Sequence, residues 1–241
     1  LLTQEPDYVV REVKNLRNQG YSVAKAHFAP FWLQRIARVP EERQIDCERF
    51  DVFFDALTDE DIPLIVHVSD PDTYYSTRYT DSHLYGTKDQ HVQEFENRLA
   101  RNSKLSIQAA HLAAQPEPER LANLERMLKD HTNLLLDTSS ARWMARELGR
   151  DPEKSRGFFM RNSDRILFAT DCVTRTEDKS YYDGRHLALR LLLETELEHV
   201  PLPFSDPDTA SVGGTFFSGL GLPDSALQRI YWENAAKLFV Q

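Results

Sequence analysis

Two cysteines, Cys47 and Cys172, are too few and too far apart in the 241-residue chain for a disulfide framework or a zinc knuckle. Such scarcity fits a reducing compartment such as the cytoplasm. Long apolar runs are missing as well: none approaches the roughly 18 residues a membrane-spanning helix needs. Basic residues are outnumbered, 29 Lys and Arg against 38 Asp and Glu, for a net charge of −9. A nucleic-acid surface wants clustered Lys and Arg, so neither nucleic acid nor membrane is an expected partner. No internal repeat or low-complexity tract is present. The start has no basic region followed by an apolar stretch, as a signal peptide would. It also begins with Leu1 rather than Met, which predicts a missing N-terminal part and leaves targeting unreadable.

What is present is ordinary in amount and informative in order. Hydrophobic content of 41% and charged content of 28% are globular values, read as one domain over residues 1–241. Val9, Val13 and Leu16 are spaced for one face of a helix that Gly20 ends, and "YSVAKAHF" (21–28) then alternates as a strand does. Four more helix-then-strand units follow, with strands at "IPLIVHV" (62–68), "KLSIQAAHL" (104–112), "NLLLDTS" (133–139) and "RILFATD" (165–171). Helices are expected at 141–149, 152–162, 185–198 and from Pro223 onward, with a loop rich in Pro, Gly and Ser over 201–223. Strands alternating with helices mean βα units and a parallel sheet, an α/β fold. The polar stretch 69–88, with four tyrosines, reads as a long loop of functional use.

Position carries the functional signal. His67, His111, Asp137 and Asp171 each fall at or near the C-terminal end of an expected strand. In a parallel barrel or open α/β sheet that edge is where sites are built. Imidazoles and a carboxylate converging there are donors a divalent metal takes. Each also has a plain structural use: a histidine as a satisfied core group, Asp171 or Asp137 as the cap of a following turn. On spacing alone both readings stay open.

The segments "IPLIVHVSDP", "IQAAHLA", "NLLLDTSS", "GRDPEKSRGFFMRNSDRILFATD" and "LPDSALQRIYWENAAKLF" resemble the amidohydrolase-related family. This is the branch of the metal-dependent hydrolase superfamily that includes aminocarboxymuconate-semialdehyde decarboxylase and related lactone hydrolases. The resemblance runs from about residue 5 to residue 240. It implies a (β/α)8 TIM barrel with strands four to eight present, hence incomplete. Five strands cannot close a barrel, so either a longer gene product, the favoured expectation, or a homo-oligomer would complete it.

The resemblance also implies roles. His67 corresponds to a metal ligand, Asp171 to an aspartate that binds the metal or the attacking water, and His111 to the histidine that helps activate that water. The expected cofactor is a divalent metal, zinc first. Lys25, on strand four, is expected to point into the site and, with Arg78, to anchor an anionic small-molecule substrate; the loop tyrosines would stack on its ring. The family's paired His-x-His of the first strand is absent; "AKAHF" offers only Lys25 and His27 at that spacing. The implied activity is hydrolysis of a C–N or C–O bond, or non-oxidative decarboxylation, of a small carboxylate-bearing substrate. The alternative is a catalytically dead barrel segment serving as a structural or binding module.

Overall fold

Five short parallel strands make the sheet in a computed structural model that describes residues 2, 4–174, 176–209 and 214–239. They are β1 (Ala24–His27), β2 (Leu64–His67), β3 (Ile107–Ala109), β4 (Leu134–Asp137) and β5 (Ile166–Leu167). Each pairs with the next in chain order, β1-β2-β3-β4-β5, with all four pairings parallel. That singly wound order, with no reversal, is the one strands take around a barrel rather than in a doubly wound sheet.

Register sorts the side chains onto two faces. Leu64, Val66, Ile107, Ala109, Leu134, Leu136 and Ile166 have no exposed surface and lie at alternating positions facing the helices. Phe54, Leu57, Phe95, Leu99, Leu124 and Phe158 from those helices join them in one apolar core. The opposite face carries Lys25, Ile65, Gln108 and Leu135 in one register row, with His27 paired to His67 one step further on. Asp137 ends β4 on the same side. His27, His67 and Asp137 therefore share one edge of one sheet face.

The helices follow from their apolar spacing. Residues 51–59 bury Phe53, Phe54, Ala56 and Leu57; residues 121–130 bury Leu121, Leu124, Met127 and Leu128. The expected helices at 141–149 and 152–162 are found at Ala141–Leu148 and Pro152–Arg161. Other expectations shift. The helix expected over 185–198 is Lys179–Glu194, started by Asp178, whose carboxylate accepts from Ser180 N–H. The 69–88 stretch holds two short helices, Asp72–Thr77 and Ser82–Tyr85. Strand 165–171 shrinks to two residues because Phe168 N–H donates to Ile230 O of the C-terminal helix instead of to a neighbouring strand. The 201–223 loop contributes an antiparallel pair, Val200–Pro201 with Phe216–Phe217, while 210–213 lies outside the described residues.

The largest departure is after β3. The strand expected to run through residue 112 stops at Ala109, and His111, Leu112, Ala113 and Ala114 take left-handed backbone with φ between 52° and 58°. For residues with a Cβ that costs about 1–2 kcal/mol each, so outside contacts must impose it. No helix among the described residues is long and apolar enough to cross a membrane.

Candidate active site

The left-handed turn aims His111 at β2. His111 Nε2 and His67 Nδ1 share a hydrogen bond at 3.0 Å, and the rings meet edge to face with centroids 4.8 Å apart. Behind His67, Nε2 faces Asp70 Oδ1 at 3.3 Å, and Tyr79 donates its hydroxyl to Asp70 Oδ2 at 2.5 Å. Behind His111, Nδ1 lies 2.8 Å from Ser139 Oγ, and that hydroxyl donates to Asp137 Oδ1. One continuous polar line results: Asp70, His67, His111, Ser139, Asp137. All five are buried.

The line can be counted in protons. With Ser139 donating to Asp137, His111 must donate from Nδ1 to Ser139 Oγ and so accept at Nε2 from His67 Nδ1–H. The link between His67 and Asp70 then needs one proton more than two neutral imidazoles and a hydroxyl supply. Burial works against a charged Asp70, but hydrogen bonds from His67 and Tyr79 outweigh it and hold its carboxyl below the usual range. Burial, and then the charge of His67, lower the pKa of His111; Asp137 and Asp171 act the other way.

Asp137 is a brace. Its Oδ1 accepts the backbone N–H groups of His111 and Ser139, both at 2.9 Å, and its Oδ2 accepts from Gln108 Nε2 at 2.6 Å. Those bonds start the left-handed turn where it does. Asp137 thus caps two turns, its own at Ser139 and the one after β3 at His111.

The other expected residues lie further out. Asp171 has an exposed side chain and left-handed backbone (φ 54°), four residues past the end of β5, yet its charge reaches His111. Lys25 is exposed on β1 and lines a cavity of about 430 Å³ with His27, Phe28, Leu33, Phe50 and Phe53. His27 stacks on His67 with centroids 4.2 Å apart, and burial followed by the charge of His67 lower its pKa to about 4. Arg78 lies over the Tyr74 ring at 4.3 Å and donates from Nη2 to Asp208 Oδ1 at 2.7 Å. Trp143 connects that pair to the histidines: its Nε1 donates to Asp208 Oδ2 at 3.1 Å and its ring centroid is 4.9 Å from that of His111. The structure thus brings His67 and His111 into contact, sets Asp171 within electrostatic reach, and places Lys25 and Arg78 on separate flanks.

Residues 16–240 match the family model described as Amidohydrolase. The chain belongs to the amidohydrolase family. No curated protein matches it. Solved structures do, at the level of fold. One is 5-carboxyvanillate decarboxylase from Novosphingobium aromaticivorans DSM 12444, complexed with manganese and 4-hydroxy-3-methoxy-5-nitrobenzoic acid; it shows a TM-score of 0.52 and 17% identity over 99% of this chain and 62% of that one. Dihydroxybenzoic acid decarboxylase from Polaromonas sp. JS666, with manganese and 2-nitroresorcinol, gives 0.54 and 15% over 98% of this chain and 66% of that one. 5-Carboxyvanillate decarboxylase from Sphingomonas paucimobilis gives 0.51 and 15% over 98% and 64%. This amidohydrolase chain spans under two thirds of the length of each.

Whether its residues suit a divalent ion is answered by the donors. Imidazole nitrogen and carboxylate oxygen are the right kind. The number falls short: among the described residues no group of three or more His, Cys, Asp or Glu converges at metal spacing. Four residues of this amidohydrolase site were not singled out in the sequence: Asp70, Ser139, Trp143 and Gln108. Asp70 and Ser139 had a faint signal, each sitting two or three residues past a strand-end His or Asp in "HVSD" and "DTS".

Proposed function

We propose that this chain carries part of the active face of a metal-dependent enzyme that acts on a small carboxylate-bearing molecule. The reaction is hydrolysis of a C–N or C–O bond, or non-oxidative removal of a carboxyl group. The observation that carries the reading is the His67–His111 pair, His67 at the C-terminal end of β2 and His111 in the turn after the adjacent β3, backed by Asp70 and Asp137. The decarboxylases among the solved neighbours support testing hydroxybenzoate-like acids first. The five strands are read as an arc of a (β/α)8 barrel, and the partner as a small molecule rather than nucleic acid or membrane.

His67 and Asp171 are the residues that would hold a divalent ion, zinc or, as in the neighbours, manganese, which would supply Lewis acidity to a substrate oxygen or to water. His111 is the general acid–base: a proton exchanged at Nε2 is balanced at Nδ1 against Ser139 and Asp137. Asp171, exposed at the rim, orients the substrate or takes a second proton. Arg78 anchors a substrate carboxylate by exchanging Asp208 for it, and Lys25 adds a second positive charge beside the cavity. Trp143 and Tyr74 offer an aromatic wall between Arg78 and the histidines.

The test is turnover by the purified chain supplied with manganese or zinc, over a panel of hydroxybenzoic acids, lactones and N-acyl acids. Carbon dioxide release or acid release tells the two reactions apart. Loss of either activity in His111→Ala supports the reading; activity within a few-fold of the parent would remove His111 from the reaction. Absence of turnover with every metal and acid would favour the non-catalytic module, the reading that the incomplete donor set supports.

A further inference from the structure

The helix Lys88–Arg101 begins on a lysine whose side chain is buried, with the residue 5% exposed. A buried ammonium needs acceptors, and Lys88 finds two in different places. Its Nζ donates to Asp70 O at 2.5 Å and to Ala114 O. Asp70 lies three residues past His67, and Ala114 is the last left-handed residue, three past His111. The two loops that carry the imidazole pair are therefore tied to one atom of a third element.

The geometry points to Lys88 as a positioning residue that sets the His67–His111 contact by holding both loops through their carbonyls. This rests on the reading of His67 and His111 as the reacting pair. Lys88 touches neither ring. Its ammonium offers three donors and no acceptor, so two carbonyls from separate loops can share it, where a neutral side chain of similar length would lose one or both.

The surroundings keep the charge in place. Burial, with Arg120 acting in the same direction, lowers the Lys88 pKa to about 8, while Glu117, Asp72 and Asp70 work against the fall. Glu117 is itself buried; its Oε1 accepts from Asp72 N–H at 2.7 Å, and Oε2 has no partner among the described residues. Arg120 donates to Asp72 Oδ2 at 2.7 Å and to Asp89 Oδ1 at 2.9 Å. The ammonium thus sits among carbonyls and carboxylates that also fix the start of the Asp72–Thr77 helix.

The test is nitrogen-15 NMR of the histidine rings in the parent chain, His111→Ala, Lys88→Met and Lys88→Gln, with circular dichroism to check folding. In the parent, removing His111 should move the His67 ring signals, which establishes the pair. In folded Lys88→Met, the His67 signals should move toward their positions in His111→Ala. Those of His131, which lies before β4 at the far end of the sheet, should stay. Lys88→Gln, whose amide keeps two N–H donors, should fall between. Where turnover is measurable, kcat should drop about tenfold or more in Lys88→Met with KM changed less than about threefold, since orientation rather than binding is lost.

Unchanged His67 and His111 signals in folded Lys88→Met would overturn the proposal. So would failure of both variants to fold, which would make Lys88 a requirement of the fold and not of the site. A parent in which His111→Ala leaves the His67 signals unmoved is a separate result: it defeats the reading of the site itself.

Discussion

Arg98 has no exposed surface, and its guanidinium ties the 45–51 segment to the end of its own helix: Nε donates to Ile45 O, Nη1 to Asp51 and Asn102, and Nη2 to Cys47 O. Cutting it to alanine strands the Ile45 and Cys47 carbonyls, while Asp51 keeps Arg101 Nη1 at 2.7 Å, so Arg98→Ala is expected to cost about 2–3 kcal/mol, read from urea unfolding. His111 is buried too, but its hydrogen bonds run toward a second imidazole rather than toward backbone alone. General acid–base groups contribute roughly 10²–10⁴ in rate, so His111→Ala should lower kcat by about that factor at unchanged folded content. What the sequence offered at this scale was residue type at strand ends. His67 and His111 were legible because each follows an apolar run, although His111 lies two residues past the end of β3. Asp70 and Ser139 were faint, because what gives them their place is a partner on another loop.

At the scale of elements, the turn after β3 is the feature that sequence reasoning could not supply. "AAHLAA" is built from good right-handed helix formers, and nothing in it announces φ near +55°. The contacts that impose the turn come from elsewhere: Asp137 at its first N–H and Lys88 at its last carbonyl. The conformation has a measurable consequence. Glycine is at ease in the left-handed region and costly in a right-handed helix. Ala113→Gly and Ala145→Gly each remove one fully buried methyl, the second from the Ala141–Leu148 helix. Ala113→Gly should therefore be less destabilising than Ala145→Gly by about 1 kcal/mol or more in thermal or urea unfolding. Equal costs would mean that the turn is right-handed in solution. The strands and most helices, by contrast, were legible, because apolar runs and helical spacing are local signals and the core rewards them directly.

Across the whole molecule, the buried Lys88 links stability to pH. Its pKa is about 8 in the fold against an ordinary 10.5. Between those values the unfolded chain keeps a proton that the folded chain has released, so stability rises with pH. The penalty is fully present below about pH 8 and is gone above the ordinary lysine value. Stability of the parent relative to Lys88→Met should accordingly increase by about 3 kcal/mol from pH 8 to 10.5, with other titrating groups cancelling in the difference. The larger question at this scale is what the sheet edge holds. His67 ends β2 and Asp171 lies four residues past β5; the proposed function has them share one divalent ion beside His111. Metal binding decides it most directly: the purified chain and His67→Ala are titrated with manganese or zinc by isothermal calorimetry. With the donors short of a full shell, weak binding of one ion is expected, weakened about tenfold or more in His67→Ala. No detectable binding of either ion to the parent, or equal affinity in the variant, would contradict that assignment.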